Sequence, residues 1–390
     1  MRRIWSKPFF VWAGSLACGA TLAVFSLCNP LPLAGKPSAG IIWENASSLP
    51  DKHGFAGPFA GSIDGTLYVA GGANFQAGYP WEGGKKVWHD RIFVLPVQAR
   101  QWEVLDARLP KPLAYGVSAS LPKMGMIVMA GGSGQANQPV QDAYCLTAVP
   151  GGIRTSALPP LPVPLAESSG LAVGNVVYVF SGRTSGGTSR KAFRLDLCQN
   201  PFSWEELPWP SGARGRMHSV AGYQGGKVYL FGGRDFQGEC GLQHPEDRLE
   251  AEKLDFLRDA YCLDLSSLEW SRIADLPRGM SAAPYVAVPE GLHSLIVIGG
   301  VDPDFVERQM DARPALNGQG HAHPGFPRAI WSYDTLADTW CKAGELPPGY
   351  DMPVTAPVIL LSSGEFVIPS GEIKPGVRTT QVLKGTVSGK

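Results

Sequence analysis

The chain has no excess of either charge. Its 34 Lys and Arg balance 34 Asp and Glu, and charged residues fill only 17% of 390 positions. With neither a basic stripe nor an acidic tail, nothing in it is suited to a nucleic-acid backbone. Cysteine is scarce too. Five of the seven follow the N-terminal segment (Cys145, Cys198, Cys240, Cys262 and Cys341), an odd number at irregular spacing with no Cys-x-x-Cys. That pattern predicts no disulfide framework and no zinc or other metal site, and Cys145 and Cys262, both in Ala-Tyr-Cys-Leu, read as small buried hydrophobes. Helical periodicity is missing from the recurrent apolar runs. These are four or five residues long, rich in β-branched and aromatic side chains, and read as buried strands.

One long apolar run does occur. Arg2, Arg3 and Lys7 precede an uncharged stretch from Phe9 to Cys28. Residues 1–35 are therefore expected to be a signal peptide or an N-terminal membrane anchor, which places the rest, residues 36–390, in the periplasm or outside the cell. Membrane attachment is expected only through this segment.

Six copies of one pattern fill the remainder. An apolar strand ends in a small-residue pair at Leu67-Tyr-Val-Ala-Gly-Gly72, Ile127-Val-Met-Ala-Gly-Gly132, Val176-Val-Tyr-Val-Phe-Ser-Gly182, Val228-Tyr-Leu-Phe-Gly-Gly233, Leu295-Ile-Val-Ile-Gly-Gly300 and Phe366-Val-Ile-Pro-Ser-Gly371. A small-residue strand precedes each, beginning at Phe59, Tyr115, Ser168, His218, Ala283 and Thr355. A third strand follows, and in most units a fourth with a tryptophan and a Leu-Pro pair, as at Trp102 with Leu109-Pro110 and Trp340 with Leu346-Pro347. Four antiparallel strands repeated six times predict an all-β fold, a six-bladed β-propeller. The last unit lacks its fourth strand, while residues 41–50 carry an orphan one, with Trp43 and Leu49-Pro50. The N-terminal strand is thus expected to close the last blade.

The stretches Gly71-Gly-Ala-Asn-Phe75, Ala114-Tyr-Gly-Val-Ser118 and above all Gly371-Glu-Ile-Lys-Pro-Gly-Val-Arg-Thr379 resemble the cyclically permuted mutarotase family. These are kelch-repeat relatives of the bacterial N-acetylneuraminate epimerase, and the resemblance covers residues 41–390. It implies a kelch-type propeller and an isomerase, without cofactor, that interconverts the α and β anomers of N-acetylneuraminate or a related sugar acid. It also implies that Glu372 and Arg378 are the functional acidic and basic residues. The chemistry suits them. Mutarotation needs a group that takes the anomeric hydroxyl proton and one that protonates the ring oxygen, work a partly buried carboxylate can do. An arginine fork suits the substrate carboxylate.

Counting from the glycine pairs of the other blades puts Asn74, Arg183, Arg234 with Asp235, and Asp302 on the same rim, and Lys374 lies in the turn between Glu372 and Arg378. Asn74, Arg183, Arg234, Asp302 and Lys374 are the expected substrate-binding set. Insertions at 235–258, with a short amphipathic helix over 248–258, and at 301–328, with His321 and His323, are expected lids. The two histidines lack a third metal ligand and read as loop residues facing solvent or substrate. Lys85, Lys86, Trp88 and His89 form a third loop, with Trp81 or Trp88 able to stack on a sugar. A non-catalytic carbohydrate-binding propeller is the alternative to the enzyme. A scaffold role lacks an adaptor domain, and a sialidase role lacks the Asp-box.

Overall fold

In the computed structural model the described residues are 40–235, 255–305, 323–361 and 364–387. The expected leader, Cys240, His321, most of the 248–258 helix and most of both expected lids lie outside them. The rest is almost entirely strand, in six four-stranded antiparallel sheets with four two-stranded hairpins added. The first blade runs Phe59–Ile63, Thr66–Ala70, Arg91–Leu95 and Glu103–Arg108 from inside to outside. The second strand of each blade is the most apolar because both its faces are covered. The outermost strand alternates with exposed polar residues.

The last blade closes as the sequence predicts. Ile41–Ala46 pairs antiparallel with Val382–Val387, from Ile41 opposite Val387 to Ala46 opposite Val382. Trp43 is buried there, edge-on to Phe366 at 5.4 Å, and its carbonyl accepts the Tyr350 hydroxyl at 2.8 Å.

The apolar cores lie between blades, one in each seam. Val177 and Val179 of the third blade meet Val117 and Val128 of the second, and Phe55, Val69 and Phe93 meet Ile359, Val367 and Val382 across the closing seam. The repeated tryptophan staples four of the six seams from the rim. The indole N–H of Trp102 donates to the Ser47 carbonyl at 2.9 Å, that of Trp204 to Pro159 at 2.8 Å, Trp270 to Pro208 at 2.8 Å and Trp340 to Ala274 at 3.0 Å. Each acceptor lies in or near the Leu-Pro segment of the preceding blade, which explains why the two features recur together.

The innermost strand of the first blade starts at Phe59 as expected, and the other five start later than their small residues suggest. The fifth is Val288–Glu290 rather than a strand from Ala283, and the sixth is Ile359–Leu360 rather than a strand from Thr355. The residues ahead of them form a closed belt around the axis. Gly57 N–H donates to Thr355 O at 2.7 Å, Thr355 to Ala282 at 2.9 Å, Ala282 to His218 at 3.0 Å, His218 to Glu167 at 2.8 Å, Glu167 to Tyr115 at 2.6 Å and Tyr115 back to Gly57 at 2.7 Å. All six have left-handed φ, from 49° at Thr355 to 63° at Tyr115. Five of them are not glycine, a conformation that costs roughly 1–2 kcal/mol each and persists only where the surroundings impose it.

The four cysteines among the described residues are free. Cys145 and Cys262 are buried at matching points of two blades, and burial pushes both thiols up.

Candidate functional site

Beside each belt residue, its predecessor pairs with the residue just past the small-residue pair. The six bridges are Ala56 with Ala73, Ala114 with Ser133, Ala166 with Arg183, Met217 with Arg234, Ser281 with Val301 and Val354 with Glu372. These are the equivalent rim positions, and three carry charge: Arg183, Arg234 and Glu372. Asn74 and Asp302 stand one residue further on. Successive side chains of an extended segment point to opposite sides, so both leave the rim; Asp302 serves the scaffold, while Asn74 also lines the cleft beside Arg378. Asn74 is buried, donates from Nδ2 to Gly54 O at 2.9 Å and pairs Oδ1 with His89 Nε2 at 2.8 Å. Asp302 takes Arg278 Nη1 at 2.6 Å on one oxygen and Phe305 N–H at 2.8 Å on the other.

Glu372 and Arg378 do come together. Glu372–Lys374 and Val377–Arg378 form a tight hairpin in which Glu372 is opposite Arg378. Arg378 Nη1 lies 3.3 Å from Glu372 Oε1, which also accepts Gly376 N–H at 2.7 Å. Only 4% of the Arg378 side chain is exposed, and its guanidinium lies 4.8 Å from the Phe75 ring centre. Its Nε and Nη1 have no hydrogen-bond partner. In front of it opens a cleft of about 220 Å³, lined by Asn74, Phe75, Tyr79 and residues 376–380 on one side and by Lys52 and His53 on the other. Lys374 is half-buried and lies near His323, where its charge joins burial in lowering the imidazole pKa. His323, expected to face solvent or substrate, is turned away from solvent. It is buried and packs edge-on against Phe305 at 5.3 Å.

On the axis stands a cluster that the sequence did not single out: Glu167, His218, Tyr285 and Tyr115. Arg183 Nε binds Glu167 at 2.6 Å, with 2% and 11% of the two side chains exposed. Burial alone would raise the Glu167 carboxyl. The charges of Arg183, His218 and Arg234 override it and hold the group well below the ordinary carboxylate range. Burial, with Arg234, Arg183 and Lys86 outweighing the opposing pull of Glu167, lowers His218 to about 4. Tyr285, stacked over His218 at 6.3 Å, is pushed well above its ordinary value by burial and then by Tyr115 and the carboxylates of Glu167 and Glu372. Four buried atoms here lack any partner: His218 Nδ1, Ser281 Oγ, Tyr285 OH and Thr355 Oγ1. Arg183, expected to bind substrate, turns its Nε and Nη2 to Glu167 and Asn137.

Lys86 lies 5.1 Å from the Tyr115 ring, and Trp88 is buried with its N–H on Ser133 Oγ at 3.2 Å, so Trp88 offers no open face. Trp81 stacks on Tyr79 at 4.6 Å beside the hairpin turn.

The axial cluster predicts an acid limb in stability. His218 stays neutral in the fold above about pH 4, whereas the unfolded chain protonates it near 6.5. Between these values the unfolded state holds more protons, so stability falls as pH drops, by roughly 3 kcal/mol over the window. Below pH 4.5 Glu167 adds to the loss, because its folded-state pKa is depressed. Thermal melts from pH 7 to 4 should show a steadily falling midpoint, and His218→Asn should flatten the part between 6.5 and 4. An unchanged slope in that variant would remove His218 from the account. At pH 7, Glu167→Gln should cost about 3 kcal/mol, since it strands a buried arginine.

The sequence profile of the KLHDC2/KLHL20/DRC7 Kelch-repeats domain matches residues 59–301. Curated relatives named N-acetylneuraminate epimerase align over the same scale. That of Yersinia enterocolitica serotype O:8 is 27% identical over 247 residues, 59% of this chain and 58% of the relative. That of Haemophilus influenzae strain PittEE is 26% identical over 245 residues, 60% of each chain. That of Yersinia pestis strain Pestoides F is 28% identical over 246 residues, 59% of this chain and 58% of the relative. The chain thus spans about three-fifths of the length of the curated relatives it matches. The solved structure of YjhT superposes with a TM-score of 0.52 at 17% identity, over 64% of this chain and 78% of that one, a likeness of fold.

Proposed function

The chain belongs to the Kelch-repeat family, and on that premise we propose that it is a mutarotase, interconverting the α and β anomers of N-acetylneuraminate or a related sugar acid. The observation that carries the reading is Glu372 facing Arg378 across one hairpin, beside a cleft that Arg378 lines. Glu372 is the only acid among the six equivalent rim positions.

In this reading a Glu372 carboxylate oxygen takes the anomeric hydroxyl proton. The C–O electron pair becomes a carbonyl, the ring C–O bond breaks, and the ring oxygen receives a proton. The open chain turns about one C–C bond. The hydroxyl then attacks the other carbonyl face and the proton transfers reverse, so nothing is consumed. Arg378 holds the substrate carboxylate by charge-assisted hydrogen bonds. Arg234 and Lys374 join it as substrate-binding residues. The first 35 residues deliver the propeller to the periplasm or the exterior.

The test is proton NMR on residues 36–390, with fresh α-N-acetylneuraminate released in the tube by a sialidase. Faster α-to-β decay than in the protein-free control is the expected outcome. Broadened sugar signals without acceleration would replace the enzyme by a carbohydrate-binding propeller.

A further inference from the structure

The cleft beside Arg378 lies at the seam where the two ends of the propeller meet, and its lining contains no carboxylate. One wall is the segment just after the closing strand, with Lys52 and His53. The other is the last-blade hairpin with Arg378 and Thr379. The acid nearest in sequence, Asp51, is spent elsewhere. Its Oδ2 binds Arg91 at 2.5 Å, and its Oδ1 accepts the N–H groups of His53 at 2.8 Å and Gly54 at 2.9 Å. That turn fixes Lys52 and His53 over the cleft. Gly54 adopts φ +73°, and a Cβ there would stand 1.8 Å from Thr379 O, so the two walls touch at its base. Arg378 lines the opposite wall; its Nε and Nη1 are buried and make no hydrogen bond, Nη1 keeping a 3.3 Å ion pair with Glu372. A buried guanidinium is costly unless its donors are met, and this one is only grazed by Glu372.

We infer that this seam cleft is an anion subsite for the carboxylate of a sugar acid, in which Lys52 and His53 act with Arg378 as specificity-determining residues while Phe75 and Tyr79 flank the sugar ring. The inference rests on the mutarotase reading for the identity of the sugar, not for the existence of the subsite. Lys52 is exposed and supplies charge, and the half-buried His53 carries an imidazole able to donate a ring N–H. Because Lys52 lies outside the Glu372–Arg378 contact, it acts on affinity and discrimination rather than on the proton transfers.

The experiment is calorimetric titration of wild type and Lys52→Met with N-acetylneuraminate and with its methyl ester, which keeps the shape and removes the charge. Wild type should prefer the acid by at least tenfold, and Lys52→Met should cut that preference to threefold or less with an unchanged melting temperature. His53→Leu should cut it as well. Equal affinity for acid and ester, a preference untouched in Lys52→Met, or no binding of either would overturn the subsite. The α-to-β exchange rate, measured in parallel, separates the two ideas. Acceleration without acid preference sinks the subsite and leaves the mutarotase. Acid preference without acceleration leaves the subsite and sinks the mutarotase.

Discussion

Substituting Glu372→Gln should slow anomer exchange at least about tenfold, with general acid–base groups commonly contributing 10²–10⁴. The amide is nearly isosteric. Its oxygen can still accept the Gly376 N–H that Glu372 Oε1 accepts at 2.7 Å, so the hairpin keeps its turn. What disappears is the capacity to take and return a proton, together with the negative charge beside Arg378. The loss should therefore appear in kcat more than in KM. The same NMR decay that tests the function gives the rate, and a thermal melt confirms the fold. A variant exchanging anomers at the wild-type rate would remove Glu372 from the chemistry. Glu372→Asp, one methylene short, should fall between the two.

Deleting residues 41–50 should cost the propeller its cooperative unfolding, or lower its melting temperature by on the order of 10 °C or more. The segment contributes a full outer strand, six residues in register with the C-terminal strand. It also contributes Trp43, 8% exposed, and Leu49, 3% exposed, one in each of the two cores flanking the last blade. Losing buried side chains of that size costs about 3–5 kcal/mol for a tryptophan and 2–5 for a leucine. The Ser47 carbonyl that holds Trp102 goes too. The bare strand Val382–Val387 would then present an open edge. A compensating variant makes the test specific. Because Ile41 is opposite Val387, residues 40–50 appended after residue 390 can fold back as a hairpin, and that permuted chain should recover most of the lost stability. A truncated protein that melts with wild type would end the closure argument.

The blade count and the closing strand were legible because both rest on local pattern. A four- or five-residue apolar run ending in two small residues marks a second strand, and a tryptophan followed by Leu-Pro marks a fourth. The belt was not legible. Its hydrogen bonds join residues tens of positions apart, and nothing in Tyr115, Glu167, His218, Ala282 or Thr355 announces a left-handed φ. Their neighbours are small, so the segments pass for strands. The only trace was chemical, since Tyr115, Glu167 and His218 each open a run of small residues. Among the site residues, Glu372 and Arg378 were singled out through a specific motif, and one hairpin brings them together. Asn74 and Asp302 stand one position off the rim because counting from a glycine pair fixes the place but not the side, and Asn74 reaches the seam cleft instead. Arg183 was placed correctly, but its partner Glu167 could not be seen from sequence. Ser181 and Ser370 replace the first glycine of the pair at φ 53° and 66°. Each is held by its own hydroxyl: Ser370 Oγ accepts Phe55 N–H at 2.7 Å and reaches Thr379 O at 2.6 Å, which ties the last blade to both walls of the cleft.

A helix is a row of peptide groups with two ends, each with unmet donors or acceptors and a partial charge. The belt is a row bent into a circle. Each of its six residues gives through its N–H and receives through its carbonyl, so the ring of hydrogen bonds has no terminus and no leftover donor. A helix end offers an arriving solute unmet backbone donors or acceptors, and the belt residues, with these groups already joined, offer none of theirs. What a solute meets there is left to the side chains that the belt carries, Tyr115, Glu167 and His218 among them.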